Sequence, residues 1–210
     1  RGGGILCLGE PIIDGCTFEA NSSGLGGGIF FDTSTATLSN SDFFANQSGL
    51  GGGVFAENSF TTITNCDFFE NSTWFSGGGI CTNQSELTLD SCELANNEAG
   101  TWGGGIFNLW GELNILNCNL DSNAAGFDGG GVYVWSTDVV VESTSFANNE
   151  AGVAGIQWNS GGGMYISNCD SVAMSEDSEF NGNTSSGLGG GVYCEGTSDL
   201  SIDQTNFLEN

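Results

Sequence analysis

Residues 66–80, CDFFENSTWFSGGGI, return one unit later as residues 92–106, CELANNEAGTWGGGI. Both stretches carry, in the same order, a cysteine, a large apolar residue, an asparagine, three glycines and an isoleucine. Self-similarity at a fixed spacing is typical of repeat architectures, in which each repeat is one structural unit that stacks on the next. The repeat therefore decides the fold.

The repeat fills the whole chain of 210 residues, which we interpret as one repeat domain, 1–210. Its spacing is 24 to 26 residues until two longer units near the end. A Phe or Leu stands about 17 residues after the first glycine, and an asparagine follows three residues later. The glycine triplets begin at Gly2, Gly26, Gly51, Gly77, Gly103, Gly129, Gly161 and Gly189. The asparagines are Asn21, Asn46, Asn71, Asn97, Asn123, Asn149, Asn183 and Asn210.

The segments between these positions alternate apolar and small polar residues, as in LTLDSCEL (87–94) and VVVESTSF (139–146). Period two with β-branched residues and intervening Gly, Asn and Ser predicts short strands. A unit of two or three short strands buries its apolar face only when identical units stack on it. The sequence therefore predicts an all-β fold, a single-stranded parallel β-helix of about eight coils with about 25 residues each.

In this fold, equivalent residues of successive coils lie above one another at roughly the strand spacing of 4.8 Å. The aliphatic residue after each triplet and the Phe or Leu column fill the core. The asparagines form a structural ladder, because their amides can bond to the coils above and below. The glycines mark a corner where backbones come close.

The motifs GGGIF (26–30) with FEAN (18–21), and GGGVF (51–55) with FFEN (68–71), resemble the repeat of the chlamydial polymorphic outer membrane proteins. The family usually has alanine where this chain has its third glycine. The resemblance implies a right-handed parallel β-helix, an extracellular or cell-surface location, and an adhesive role. It supplies no catalytic residue.

The charge is strongly acidic, since 26 Asp and Glu residues stand against one basic residue, Arg1, and histidine is absent. A net charge of -25 repels nucleic-acid phosphates and anionic lipid, so neither is an expected partner. The longest apolar run is too short for a membrane span, so this segment is not expected to insert into a membrane.

A polysaccharide-processing enzyme on a β-helix would combine carboxylates with cations that stabilise charge in the transition state. Only Arg1 is available, and the carboxylates are scattered over successive units. The chain is therefore predicted to be a non-catalytic structural or adhesive rod without a cofactor. A polysaccharide-binding or polysaccharide-processing protein is the alternative. Stacked carboxylates also suit Ca²⁺, which prefers oxygen ligands.

One column contains Cys16, Cys66, Cys92 and Cys118, with Ser41 and Thr144 at equivalent positions, and the disulfide candidates in it are Cys66, Cys92 and Cys118. Either the column needs a small buried residue, or neighbouring coils are joined by a disulfide. Both interpretations remain open. Eight cysteines in all suit an oxidising compartment, in agreement with an extracellular location.

Aromatic residues follow the aliphatic column. Strict alternation would expose them, whereas a glycine corner that breaks the alternation would bury both columns, and we favour the second account. The members of this second column are Leu6, Phe30, Phe55, Cys81, Phe107, Tyr133, Tyr165 and Tyr193. A separate aromatic patch for glycans or a protein partner is predicted just before the triplets, beside the long loop 149–160. Its members are Phe75, Trp102, Phe127 and Trp158.

Asn-x-Ser/Thr sequons mark candidate N-glycosylation sites. They begin at Asn21, Asn46, Asn71, Asn83 and Asn183. Four coincide with the ladder, where an inward asparagine carries no glycan. Asn83 is predicted to lie between strands and is the better acceptor.

Neither end of the chain has an atypical capping unit. An open strand edge recruits further strands. We therefore expect these residues to be part of a longer array or a subunit that stacks on itself end to end.

Overall fold

The computed structural model describes residues 1–153 and 158–210. In these ranges the regular secondary structure consists of β-strands, with no helix. Successive coils pair in parallel and in register, so that Ile80 pairs with Ile106 and Leu87 with Leu113. The predicted all-β parallel solenoid of about eight coils is thereby confirmed. None of the described residues forms a helix of the length and apolarity that a membrane crossing requires.

The strands of the described ranges form three parallel sheets that run along the rod. The long sheet contains β1 (Ile5–Gly9), β2 (Ile12–Asp14), β4 (Ile29–Ser39), β7 (Val54–Glu57), β8 (Phe60–Thr64), β11 (Ile80–Asp90), β14 (Ile106–Leu116), β17 (Val132–Glu142), β20 (Met164–Ser167), β21 (Ser171–Ser175), β24 (Val192–Glu195) and β25 (Asp199–Ile202). The second sheet contains β3 (Thr17–Glu19), β5 (Asp42–Phe44), β9 (Asp67–Phe69), β12 (Glu93–Ala95), β15 (Asn119–Asp121), β18 (Ser145–Ala147), β22 (Glu179–Asn181) and β26 (Asn206–Leu208). The short sheet contains β6 (Gln47–Leu50), β10 (Ser72–Ser76), β13 (Glu98–Ala99), β16 (Ala124–Ala125), β19 (Glu150–Ala151) and β23 (Thr184–Ser185).

Single residues with positive φ turn the chain at the corners of each coil. In the coil of β11 these are Gln84, Ser91 and Asn96, with φ of 51°, 57° and 56°. The left-handed region is costly for most side chains, and short polar ones such as Asn tolerate it best. Strands therefore change direction within one residue, and a strand such as β11 continues through its corner.

The triplet Gly51 to Gly53 shows why three glycines recur. Gly51 has a φ of +63°, which favours glycine. A Cβ on Gly52 would lie 2.1 Å from the carbonyl oxygen of Gly78 in the next coil. A Cβ on Gly53 would lie 2.8 Å from Cδ1 of Phe68. The triplet is thus the place where neighbouring backbones and the Phe column touch.

Inward side chains form one continuous core cluster that runs from Ile13 to Phe180. Within it, the rings of Phe18 and Phe43 stack at 4.7 Å, and those of Phe43 and Phe68 stack at 4.6 Å. Offset or stacked aromatic pairs contribute about 0.5–1.5 kcal/mol beyond their burial. The Phe column therefore helps to hold the register between coils.

Candidate functional site

The asparagine column forms a hydrogen-bonded ladder in which each side chain bonds to both neighbouring coils. Asn97 is fully buried, and its Nδ2 donates to the carbonyl oxygen of Phe68 (2.9 Å) and to Oδ1 of Asn123 (2.9 Å). Its own Oδ1 accepts from the backbone N–H and the Nδ2 of Asn71, at 3.1 and 3.0 Å. The same pattern recurs from Asn21 to Asn210. The ladder thus fixes the vertical register of the coils.

The ladder also bears on the sequons. Asn46, Asn71 and Asn183 are fully buried, so their amides cannot carry a glycan in the folded protein, and Asn21 is half-buried. The prediction that Asn83 lies between strands is wrong. Asn83 lies inside β11, because the neighbouring corner needs only one residue with positive φ.

The cysteine column is a second ladder, which the sequence did not reveal. The thiol of Cys118 accepts the backbone N–H of Cys92 at 3.4 Å and donates to the carbonyl oxygen of Leu116 at 3.1 Å. Thr144 repeats both contacts one coil later, at 3.2 and 2.8 Å. Ser, Thr and Cys interchange in this column because each can accept from one coil and donate within its own. Cys66, Cys92 and Cys118 are buried free thiols in the structure.

The carboxylates lie mainly on outward positions. Asp42 pairs with Asp67, and Asp67 with Glu93, along the second sheet. Burial, and then the charge of Asp42, raises the pKa of Asp67. Within the described ranges, no group of three or more His, Cys, Asp or Glu side chains is close enough to hold a metal ion.

The second column is largely buried, as the favoured account expects, but not for the reason that this account gives. The alternation is not broken at the glycine corner, since Ile29 and Phe31 point into the main core while Phe30 lies in a separate cluster. Phe30 is nevertheless fully buried, because Leu25 and Leu50 pack over this second cluster. The column therefore faces outward but is covered at Phe30, Phe55, Cys81 and Tyr133, whereas Leu6 of the first coil is 49% exposed.

The four residues of the predicted aromatic patch are only partly brought together. Trp102 and Phe127 contact each other, with ring centroids 5.9 Å apart. Phe75 and Trp158 are exposed, Trp158 to 79%, and over the described ranges no ring contact joins them to that pair. The predicted loop 149–160 lies partly outside the described residues, which omit 154–157.

A groove opens where the cover of the second column changes. Phe107 pairs with Tyr133, and Leu109 with Trp135, on the neighbouring strands β14 and β17. Phe107 and Tyr133 stack at 5.2 Å, and the ring of Trp102 lies 6.0 Å from that of Tyr133. These side chains surround a cavity of about 290 Å³. The lining is Trp102, Phe107, Leu109, Trp110, Tyr133 and Trp135, which we call the aromatic groove.

Trp110 forms one wall of the aromatic groove from an unusual backbone position. It has a φ of 55° and is 48% exposed. The equivalent corner residues are Gln84 and Ser136, both with φ of 51°. A bulky residue with positive φ is uncommon and costs conformational free energy. The sequence signal for this wall is a tryptophan in a column of small or polar corner residues. Trp110 was not among the predicted site residues, and neither were Leu109 and Trp135.

Charged groups lie beside the groove rather than inside it. Asp128 accepts the backbone N–H of Ser160 at 2.8 Å. Burial raises the pKa of Asp128, and this effect is partly offset by the N–H of Ser160 and by the nearby indole of Trp102. Farther along the column, the hydroxyls of Tyr165 and Tyr193 donate to Glu195 at 2.7 and 3.1 Å. The aromatic column is thus flanked by carboxylates.

Comparisons with known proteins agree with this architecture. A family model described as a right-handed β-helix region matches residues 1–111, more than half of the chain. A second model, described as a Chlamydia polymorphic membrane protein repeat, matches residues 177–195, which confirms the resemblance seen in the motifs and supports a surface location. Comparisons with curated proteins and with solved structures found no match. The register, ladders and core described above are those of stacked parallel coils, and the larger match covers more than half of the chain. The chain therefore belongs to the right-handed β-helix family.

Proposed function

We propose that this chain is a non-catalytic, surface-associated β-helix rod that joins further coils of the same kind through its two end faces. The observation that carries the proposal is the exposure of apolar residues on the end coils. Phe207 is 44% exposed, whereas Phe180 and Phe146 of the same column are fully buried by the next coil. At the other end Ile5 is 38% exposed, whereas Ile29 of the same inward column is fully buried. Covering such surfaces stabilises by about 25 cal/mol per Å².

The asparagine ladder supports a head-to-tail orientation. Asn21 donates to Asn46, so its Oδ1 is the acceptor that a preceding coil would use. Asn210 accepts from Asn183 through Oδ1, so its N–H is the donor that a following coil would receive. One end thus offers an acceptor and the other a donor. A contact between two different end faces is heterologous and propagates as an open filament or array.

The charge of the chain favours the ends over the sides. A net charge of -25 repels parallel rods from one another, because the carboxylates lie mainly on outward positions. An end-to-end contact brings fewer of these charges together and buries apolar surface. The match to a membrane-protein repeat supports display of such a rod at a cell surface, where an adhesive role would follow from its length and repetition.

The test is the association state of the chain across a concentration series, measured by sedimentation velocity and by electron microscopy. We expect rods whose length grows with concentration, and we expect Phe207→Lys to abolish the growth. Phe60→Lys is the matched control, since Phe60 is 53% exposed on the side of the rod in β8. Monomers at every concentration, or assemblies that Phe60→Lys and Phe207→Lys affect equally, would contradict the proposal.

A further inference from the structure

We infer that the aromatic groove is a binding site for a small organic cation, namely the trimethylammonium group of a choline-type ion. The site goes beyond the proposed rod function and does not depend on end-to-end assembly. Its volume of about 290 Å³ lies just below the range of about 300–1,000 Å³ that is typical of small-molecule sites. The groove therefore has room for a small ion.

The composition of the lining selects the ligand chemistry. Five aromatic rings and one leucine form the groove, and among the described residues no charged side chain lines it. A sugar needs several hydrogen bonds to replace the water that it loses on binding, and an apolar lining does not provide them. A trimethylammonium group has no hydrogen-bond donor and is attracted by the faces of Trp, Tyr and Phe rings.

The same column already holds a cation near the first coil. The guanidinium of Arg1 lies 5.3 Å from the ring centroid of Phe30, and its Nη1 lies 3.5 Å from Oδ2 of Asp32. A second cavity, also about 290 Å³, extends from Arg1 to the aromatic groove and shares Phe107, Leu109 and Trp110 with it. The surface thus combines rings that accept a cation with a carboxylate at their edge.

Charge complementarity points the same way. The net charge of -25 raises the local concentration of cations, and Asp128 lies beside the groove, on the coil that follows Trp102. An anionic or zwitterionic ligand would bring its negative group into this field, so a ligand with net positive charge is favoured. The unfavourable backbone of Trp110 gives the groove a wall that its neighbours in the corner column do not provide.

The experiment is isothermal titration calorimetry of the whole chain with choline and with 3,3-dimethyl-1-butanol, its uncharged analogue of the same shape. We expect choline to bind at least tenfold more tightly than the alcohol, and the affinity to fall as NaCl is raised. Trp110→Asn should weaken choline binding at least tenfold. Asparagine tolerates positive φ, so this variant should keep its fold, which a thermal melt checks. Trp74→Asn, an exposed tryptophan in β10, is the matched control and should bind like the unmodified chain.

Equal affinity for choline and the alcohol would overturn the inference, because the groove would then be an apolar cavity without preference for charge. Binding of neutral oligosaccharides but not of choline would assign the groove to carbohydrate instead. Binding of a trimethyllysine peptide but not of choline would assign it to a modified protein. Unchanged choline binding by Trp110→Asn would place the site elsewhere.

Discussion

Removing one rung of the asparagine ladder should destabilise the rod strongly, and Asn97→Ala is the sharpest case. The side chain of Asn97 makes four hydrogen bonds in a fully buried position. Alanine removes all four and leaves the buried backbone N–H of Asn71 without an acceptor, whereas the carbonyl of Phe68 keeps its bond within the second sheet. A buried polar group left unpaired costs about 1–3 kcal/mol, and each of the three other lost hydrogen bonds costs about 1 kcal/mol. The expected loss in the free energy of unfolding is therefore about 4–6 kcal/mol.

The measurement is urea denaturation followed by circular dichroism and tryptophan fluorescence. Asn114→Ala is the matched control, because its half-buried amide bonds to Glu112 at 2.9 Å and at most weakly to Thr88 at 3.5 Å. We expect that control to cost below about 1 kcal/mol, since its bonding groups stay accessible to water. If the free energy of unfolding of Asn97→Ala depends less steeply on urea concentration, the rod unfolds in two parts, as linear repeat proteins can. If both variants cost the same, the ladder does not stabilise the rod and the reasoning is refuted.

Three further predictions concern packing, pH and thiols. Gly53→Ala should lower the free energy of unfolding by about 1–3 kcal/mol, and by more than Gly79→Ala does. The reason is that a Cβ at Gly53 meets the Phe68 ring as well as a carbonyl oxygen. Equal urea midpoints of the two variants would contradict this prediction. The pKa of Asp128 is raised in the folded state, so its contribution to stability is present below the unfolded value of about 4 and is lost as pH rises through the folded value. Between about pH 4.5 and about pH 7.5, the urea midpoint of Asp128→Asn should therefore fall less than that of the unmodified chain. The control Glu19→Gln removes the same charge at an exposed position, and its urea midpoint should fall as much as that of the unmodified chain. Burial raises the pKa of Cys66 to about 12, so its thiol should react with a disulfide reagent only when the chain unfolds. An intact mass lower by two hydrogens per bridge would instead show that the cysteines form disulfides. The thiols expected to react slowly are Cys66, Cys81, Cys92, Cys118 and Cys169, and those expected to react first are Cys7, Cys16 and Cys194.

The coils could be predicted from the sequence because stacking requires similar residues at equivalent positions of successive coils. A residue such as Asn97 must match Asn71 and Asn123, so the constraint appears as a period along the chain. The prediction of strand ends failed where one residue turns the corner for which several residues were expected. Asn83 was expected between strands, but Gln84 alone turns the corner.

The second column illustrates a different limit. Period two correctly separates Ile29 from Phe30, but it does not say what covers an outward residue. The cover comes from Leu25 and Leu50, which immediately precede the glycine triplets and pair with each other across neighbouring coils. Burial of Phe30 is therefore a property of three coils together, and a local pattern does not contain it.

The same physics explains where a binding site can arise on this rod. An inward side chain is constrained by the coils on both sides, because its volume and hydrogen bonds must match theirs. An outward side chain has no such partner, so it can change without loss of the fold. At the position of Leu50 a later coil carries Trp102, and at the corner of Gln84 that same coil carries Trp110. Two such changes within one coil add tryptophan walls beside the column and form the groove, and a break in a column is therefore the feature by which binding sites on other rods of this kind should be sought.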